Sequence, residues 1–260
     1  DTRSSFRKVV SLPPKLALPE LRKVFRESEP GKAPGIASAL AWFGDATGEA
    51  ALVSRLEELA GMTLTDSTPS GQRTRGGIWD EKPDRYWERN RIIVLLGHLR
   101  SGHALPVIVG LTADATPGGT PAEHGRLHWR RVPNYDFLVS LAFFLERAAS
   151  PDAANALQHL LARPDITGHE RHSPEFADAD APSAQLELIL AGALLRCGDC
   201  QGAQIMTRYL QDVREVLARH AEAELQSVTH QNLGRDPEKW RQWLHNNTLK
   251  PCPYTEDYPL

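Results

Sequence analysis

Apolar residues recur along this chain every three or four positions, the spacing of one buried helix face, and the stripes come in pairs. In the first pair, a stripe over residues 36–43 is followed by one over 52–59 across a short turn that contains glycine and aspartate. These residue types are typical of a helix end followed by a helix start. Three further pairs follow the same pattern: 92–99 with 105–109, 138–145 with 153–161, and 186–194 with 206–213.

The four pairs begin about 50 residues apart, which indicates one repeated unit of two antiparallel helices. One such pair cannot bury its own apolar face, so neighbouring pairs must stack. No run of β-branched or aromatic residues alternates with polar residues between turn signals, as a strand would require. The sequence therefore predicts an all-α fold, a HEAT/armadillo-type α-solenoid of about four antiparallel helix pairs with long connecting loops and helical caps.

The pattern predicts a single HEAT-like domain over residues 1–260. Pro19 is expected in the first turn of a short N-terminal helix, where a proline is tolerated. Near the other end, Asp236 and Pro237 open a last helix whose Trp240 and Trp243 are expected to cover the open end of the core. The predicted parts are an N-terminal cap (1–30), the helix-pair repeats (34–213), C-terminal cap helices (214–247) and an extended proline-bearing tail (248–260).

Two features of the fourth pair carry a resemblance to a known family. The Gly-Asp turn between the paired helices resembles HEAT-type repeats. Residues 186–244, with the motifs RCGD, YLQD, HAEAEL, VTHQNLGRD and WRQWL, resemble the C-terminal helical region of bacterial-type FAD-dependent oxidoreductases.

In that family the flavin is held by an N-terminal nucleotide-binding domain opened by a glycine-rich G-x-G-x-x-G turn. The glycine pairs at residues 76–77 and 118–119 lack the third glycine. The resemblance thus implies the accessory half of such an enzyme, with the catalytic residues elsewhere and no cofactor in this chain. The start of the sequence at Asp1, without an initiator Met or a signal-peptide stretch, is consistent with a piece of a longer protein.

The charge and the hydrophobicity of the chain argue against two classes of partner. The formal net charge is −3, so no global basic field favours nucleic acid as a partner. The longest apolar stretch, at residues 137–145, falls well short of the roughly 20 residues that a membrane span needs. We therefore expect neither a nucleic-acid nor a membrane partner.

Three connections between helix pairs are long, over residues 61–90, 113–136 and 164–184, and loops of that length are usually functional or disordered. The first two combine arginine with aromatic residues, the types enriched at protein interfaces. We predict that they dock another protein or a domain of the same parent polypeptide. The candidate interaction surface comprises Arg73, Arg75, Trp79, Arg85, Tyr86, Trp87, Arg126, Trp129, Arg130 and Arg131.

Other interpretations of these connections stay open. The third connection is acidic, so the loops could pair with one another instead, and an anionic small ligand or a sugar is a further alternative. The competing function is an enzyme or a carbohydrate-binding domain, with Trp79, Trp87 and Trp129 as stacking platforms.

The second and third connections each contain a pair of histidines. Their spacing would let both side chains bind one metal ion only if the pair lay on a helix. His124 and His128, like His169 and His172, lie instead in glycine- and proline-bearing loops, so we interpret them as ordinary surface histidines. No metal-ligating or catalytic residue is predicted.

Cys197 and Cys200 have C-x-x-C spacing, but they span a turn between two helices rather than the start of a helix after a strand. We expect Gly198 to end the first helix and Asp199 to cap the second. A disulfide that includes Cys252 is the alternative.

Overall fold

The computed structural model describes residues 11–61, 85–115, 135–173 and 181–255. Within these ranges the chain forms eleven α-helices, one short 3₁₀ turn at Ala46–Gly48 and no strand, so the predicted all-α fold is confirmed for them. None of these helices is long and apolar enough to span a lipid bilayer. The helices are α1 (Pro14–Glu27), α2 (Ala33–Trp42), α3 (Glu49–Leu59), α4 (Arg85–His98), α5 (Leu105–Asp114), α6 (Tyr135–Ala148), α7 (Pro151–Leu161), α8 (Ala181–Arg196), α9 (Cys200–Tyr209), α10 (Glu215–Thr229) and α11 (Pro237–Asn246).

The described chain divides into two compact units after Ile108, within α5. In the first unit α2 is central, because it contacts α1, α3 and α4. Its residues Ala37, Ala39, Leu40 and Ala41 are buried. A Cβ atom on Gly48 would lie 2.5 Å from the Cβ of Ala37, so the turn before α3 packs directly against α2.

The second unit is built around α8, which contacts α6, α7, α9 and α10. Apolar residues occur on all sides of α8, and a helix of that kind is normally buried throughout. Twelve of its sixteen residues are buried accordingly. A further helix, α11, packs on α9 through the fully buried Trp240, whose indole N–H donates to the Gly234 carbonyl over 2.7 Å. Trp243, the second predicted covering residue, is only half-buried.

The predicted helix starts are confirmed where polar side chains cap them. Ser150 accepts a hydrogen bond from the N–H of Asp152, with Pro151 at the first position of α7. Asp236 accepts from the N–H groups of Glu238 and Lys239 at the start of α11. Each cap satisfies an N–H group that has no partner within its own helix.

The N-terminal helix starts earlier than expected. The sequence predicted Pro19 in its first turn, but Pro14 occupies that turn and Pro19 lies inside α1. An interior proline removes one helical hydrogen bond. Pro19 lies on an exposed side of α1, where water can satisfy the carbonyl that loses its partner.

The second helix of the fourth pair is shorter than expected. It ends at Tyr209, whereas the pattern extended it to Val213. The Val213 N–H donates to the Arg171 carbonyl over 2.9 Å, and the Asp212 carboxylate accepts from the Arg214 N–H. These bonds direct the backbone away from the helix before α10 begins. Residues 248–255, the described part of the predicted tail, have no regular secondary structure.

Candidate functional site

Three residues of the predicted interaction surface, Arg85, Tyr86 and Trp87, lie in the first turn of α4. Arg85 and Trp87 are both exposed, and Trp87 exposes 55% of its surface. Tyr86 belongs to the same helix. The other members of the surface lie outside the described residues: Arg73, Arg75, Trp79, Arg126, Trp129, Arg130 and Arg131.

An ion pair fixes α4 beside Trp87. The guanidinium of Arg55 on α3 donates from Nε and Nη2 to the two carboxylate oxygens of Glu88, each over 3.0 Å. A two-point contact of this kind constrains orientation as well as distance. These hydrogen bonds to Glu88, with another to Glu58, raise the pKa of Arg55. Trp87 is therefore presented on a helix that is held in place.

Exposed large apolar side chains are concentrated in the first unit. Leu16 and Val24 lie two turns apart on α1 and expose 67% and 47% of their surfaces. Leu12, just before α1, and Trp87 on α4 are exposed as well. In the described part of the second unit, Val216 is the one such residue. Exposed apolar surface of this kind is typical of interaction sites when the residues form a patch.

The interior of the second unit holds a buried carboxylate, Glu187 on α8, which has no exposed surface. Its Oε2 accepts from the Tyr209 hydroxyl over 2.7 Å and from the His169 N–H over 3.0 Å. Its Oε1 accepts from the Thr167 hydroxyl and from Arg208 Nη2, each over 3.0 Å. Four donors offset the cost of burying the charge. Burial, followed by the adjacent Glu187 carboxylate, raises the pKa of Tyr209.

A second carboxylate, Asp212, holds the described part of the third connection. It accepts from the Arg171 N–H over 2.8 Å and pairs with the Arg214 guanidinium over 2.7 Å. Burial alone would raise the pKa of Asp212, but hydrogen bonds from Arg214 and Arg171 outweigh it and lower the pKa. The same Arg214 donates to the His169 carbonyl over 2.6 Å. The acidic Glu170 of this connection pairs with Arg208 on α9.

The histidines of the third connection contact backbone carbonyls. His169 Nε2 lies 3.3 Å from the Asp165 carbonyl oxygen, and His172 Nδ1 lies 3.3 Å from that of Gln211. Neither residue lies on a helix. The parts of the chain that the structure describes contain no group of three or more histidine, cysteine or acidic residues that could hold a metal ion. His124 and His128 lie outside those parts.

The turn between α8 and α9 has the predicted geometry. Gly198 has φ +87°, and Asp199 accepts from the Gln201 N–H over 2.8 Å. Cys197 is buried, and burial, reinforced by the charge of Asp199, raises the pKa of its thiol to about 12. Cys200 is exposed, and both cysteines are free thiols, as is Cys252. A buried thiol with so high a pKa is a poor nucleophile, so we interpret the turn as structural.

Comparison of the chain with known protein families, with characterised proteins and with solved structures finds no match. The case for a function therefore depends on the contacts and surfaces described above.

Sequence reasoning missed a group of charged side chains between α6, α8 and α10. Arg196, almost fully buried at the end of α8, donates from Nε and Nη2 to the two carboxylate oxygens of Glu224 over 2.6 and 3.1 Å. On α6, Arg147 pairs with Glu146. The available signal was a charged residue in an otherwise apolar stretch, as Arg196 is within LILAGALLRCG. Such a residue is buried only when it is paired.

Proposed function

We propose that this chain is a non-catalytic interaction domain of the HEAT-like helical-repeat type. The observation that carries the proposal is the exposed Trp87, held beside Arg85 on a helix fixed by the Arg55–Glu88 ion pair. Tryptophan and arginine dominate the binding energy of protein interfaces, particularly when they are presented on rigid elements.

The exposed apolar side chains of α1 also favour a protein partner. Leu16 and Val24 present a face of α1 that does not pack on α2, while Ala17 on the same helix is buried. Leu12 extends the exposed apolar residues before the helix. An apolar helix face that the unit itself leaves exposed favours a protein partner over a small polar ligand.

The order of helix contacts supports the repeat type. In the first unit α2 contacts both α3 and α4, and in the second α8 contacts both α9 and α10. Contacts to the next helix and to the next but one are expected when helix pairs stack side by side. We propose that these pairs are HEAT-like repeats.

The resemblance of residues 186–244 to the accessory region of FAD-dependent oxidoreductases suggests the partner. We propose that the partner is the flavin-binding domain of the same parent polypeptide. In this arrangement the flavin belongs to the partner, and the helical chain contributes a docking surface.

The test uses the parent reading frame. The region before this chain is expressed separately, and its binding to the chain is measured by calorimetry. Trp87→Ala and Leu16→Glu are each expected to weaken binding at least tenfold, because loss of an interface anchor costs about 2 kcal/mol or more. Val216→Ala, which alters an exposed apolar residue in the second unit, is the control and should bind as the parent chain does.

Two results would contradict the proposal. One is wild-type affinity in both Trp87→Ala and Leu16→Glu while the variants remain folded by circular dichroism. The other is a flavin that copurifies in stoichiometric amount with the helical chain alone, because this would place the cofactor site here.

A further inference from the structure

The C-terminal segment, residues 248–255, is bound to α6 and α8 through its main chain. The Cys252 N–H donates to the Arg196 carbonyl over 2.8 Å, and Arg196 Nη1 donates to the Cys252 carbonyl over 3.4 Å. The Tyr254 N–H donates to the Glu146 carbonyl over 3.0 Å. These contacts use no side-chain atom of the segment, so they do not depend on which residue stands at either position.

The ring of Tyr254 lies beside two arginines. The Cζ atoms of Arg147 and Arg196 lie 5.0 and 4.6 Å from the centre of the ring. Both arginine side chains are almost fully buried, with 4% and 3% exposed. A cation held over an aromatic face away from water is attracted more strongly than one at an exposed site. The surface therefore favours an aromatic residue at this position of the segment.

The prolines on either side of Cys252 fit the same surface. A Cβ atom on Gly198 would lie 3.1 Å from the ring Cδ and from the nitrogen of Pro251, so Pro251 packs directly against this glycine. Pro251 and Pro253 have no N–H, and both remaining N–H groups of residues 251–254 have acceptors. Prolines also restrict the free segment, which lowers the entropy lost on docking. The surface thus matches the pattern Pro-x-Pro-Tyr.

The two arginines are held in place by residues outside the segment. Arg196 donates to both carboxylate oxygens of Glu224 and, from Nη2, to the Ser227 hydroxyl over 3.1 Å. The Cζ atom of Arg147 lies 3.5 Å from the centre of the Phe143 ring, and its Nη1 donates to the Phe143 carbonyl over 3.3 Å. A site whose groups are positioned in advance loses less entropy on binding.

The segment itself is held much less firmly than the surface beneath it. None of residues 248–255 is buried, because each is exposed or only half-buried. Arg147 and Arg196 below it are buried. A segment that buries little apolar surface opens at a free energy well below that of global unfolding. Its release would leave a preformed site open.

The geometry points to a recognition site for Pro-x-Pro-Tyr segments on α6 and α8. Residues 251–254 occupy this site in cis, and a proline- and tyrosine-bearing segment of another protein enters it by displacing them. A tethered segment competes at an effective concentration on the order of millimolar. The site therefore admits a partner that binds more tightly than the chain's own segment. It lies in the second unit and does not depend on the docking proposed for α1 and α4.

The experiment uses a fluorescent synthetic peptide of residues 248–255, carrying Cys252→Ser to prevent oxidation, and measures its anisotropy with the full-length chain. A full-length chain with Tyr254→Ala, in which the cis competitor is weakened, should bind the peptide at least about tenfold more tightly than the wild-type chain does. Within the peptide, Tyr254→Phe keeps the ring and should keep the affinity. Tyr254→Leu lacks an aromatic face and should bind at least about fivefold more weakly.

A change on the receptor side tests the location of the site. In the Tyr254→Ala chain, Arg147→Met keeps the length of the side chain but removes the charge beside the ring, so it should weaken peptide binding at least about fivefold. Arg241→Met is the control, because Arg241 is exposed on α11 and pairs with Glu238 there. It should leave the affinity unchanged. Circular dichroism checks that both variants are folded.

Three results would overturn the proposal. The first is an absence of saturable binding to the Tyr254→Ala chain at about 1 mM peptide. The second is equal affinity for the Tyr254→Leu and unaltered peptides, which tests the ring contact even if Arg147→Met does not fold. The third is a concentration-dependent dimer of the wild-type chain in sedimentation equilibrium that Tyr254→Ala abolishes, because the entering segment would then come from a second copy of this chain.

Discussion

The Tyr209 hydroxyl and the Glu187 carboxylate meet in the interior of the second unit at 2.7 Å, with both residues fully buried. Tyr209 is the last residue of α9 and Glu187 lies on α8, so this bond joins the two helices at the end of α9. The His169 N–H donates to the same oxygen, which brings the third connection into the contact. One carboxylate therefore links three segments of the chain.

Removal of this carboxylate should be among the most destabilising single changes. Glu187→Ala leaves four donors without their acceptor, and we expect it to lower the free energy of unfolding by about 3 kcal/mol. Tyr209→Phe removes one donor only and should cost about 1 kcal/mol. Urea denaturation followed by circular dichroism measures both. Glu238→Ala, which removes an exposed ion pair with Arg241, should be nearly neutral, and an equal loss in that control would contradict the assignment.

The contact between α8 and α9 should not tolerate a side chain at Gly202. A Cβ atom there would lie 2.5 Å from the Ala191 carbonyl oxygen and from the Leu195 nitrogen, both backbone atoms that cannot rotate away. We expect Gly202→Ala to cost about 2 kcal/mol or more, because the helices must separate. Gly110→Ala on α5, with no atom within 4 Å, should instead stabilise the chain by up to about 1 kcal/mol. Thermal melts that shift in the same direction for both variants would contradict this packing.

The helices were predictable from the sequence because their signals are local. The apolar stripe at residues 36–43 and the caps at Ser150 and Asp236 act within a few residues of the positions they control. The end of α9 at Tyr209 was not predictable, because its cause is the hydrogen bond from Val213 to Arg171, which is distant in sequence. Contacts between residues that are distant in sequence do not show in the spacing of apolar residues along the chain.

The charged contacts were predictable only in part. An isolated Glu187 within LELILAGALL indicates a buried carboxylate that needs partners, but nothing local names Tyr209 or Thr167 as those partners. Similarly, the proline-rich tail indicates an extended segment, whereas its attachment to Glu146 depends on how α6 and α8 pack. Arg85 and Trp87 were predicted from composition alone, and the structure adds that they are exposed on one helix.

The turn between α8 and α9 should depend on Asp199 rather than on the cysteines. Asp199 accepts from the Gln201 N–H over 2.8 Å and from Gln158 Nε2 over 2.7 Å. We expect Asp199→Ala to cost about 1–2 kcal/mol in a thermal or urea melt, through loss of the helix cap. Asp199→Asn keeps an acceptor oxygen and should recover most of the loss.

The two cysteines that flank Gly198 and Asp199 should matter less for stability than Asp199 does. The double variant Cys197→Ser and Cys200→Ser should change stability only modestly, because Cys200 is exposed and Cys197 contributes packing without a disulfide. If this variant melts far below Asp199→Ala, the two thiols matter as a pair and the structural interpretation of the turn is wrong.

A substitution at Gly198 should affect both the turn and the C-terminal residues 248–255 that pass beside it. At φ +87° a β-branched side chain is strained, and its Cβ would also meet Pro251 at 3.1 Å. We therefore expect Gly198→Val to destabilise the chain more than Asp199→Ala does and to reduce hydrogen-exchange protection of the Cys252 amide. Gly168→Val has a similar positive φ of 81° but open space around it, so it should cost stability without changing that amide.

Acid unfolding should be governed in part by Asp212, which anchors the third connection. Its pKa is lowered in the folded chain, so the carboxylate contributes stability that is fully present above about pH 3.8 and is lost as the pH falls through the lower folded value. Asp212→Asn removes the ionisable group and leaves the Arg214 side chain, which is 9% exposed, beside a neutral partner, which should cost about 3 kcal/mol at pH 7. Because that contribution is already absent, the stability of the variant should fall less steeply than that of the wild type below pH 4.

Urea midpoints measured between pH 2 and pH 7 test this, with Glu20→Gln at an exposed position on α1 as the control. Parallel curves for the wild type and Asp212→Asn below pH 4 would show that Asp212 does not contribute to acid unfolding, even if the variant is less stable at pH 7.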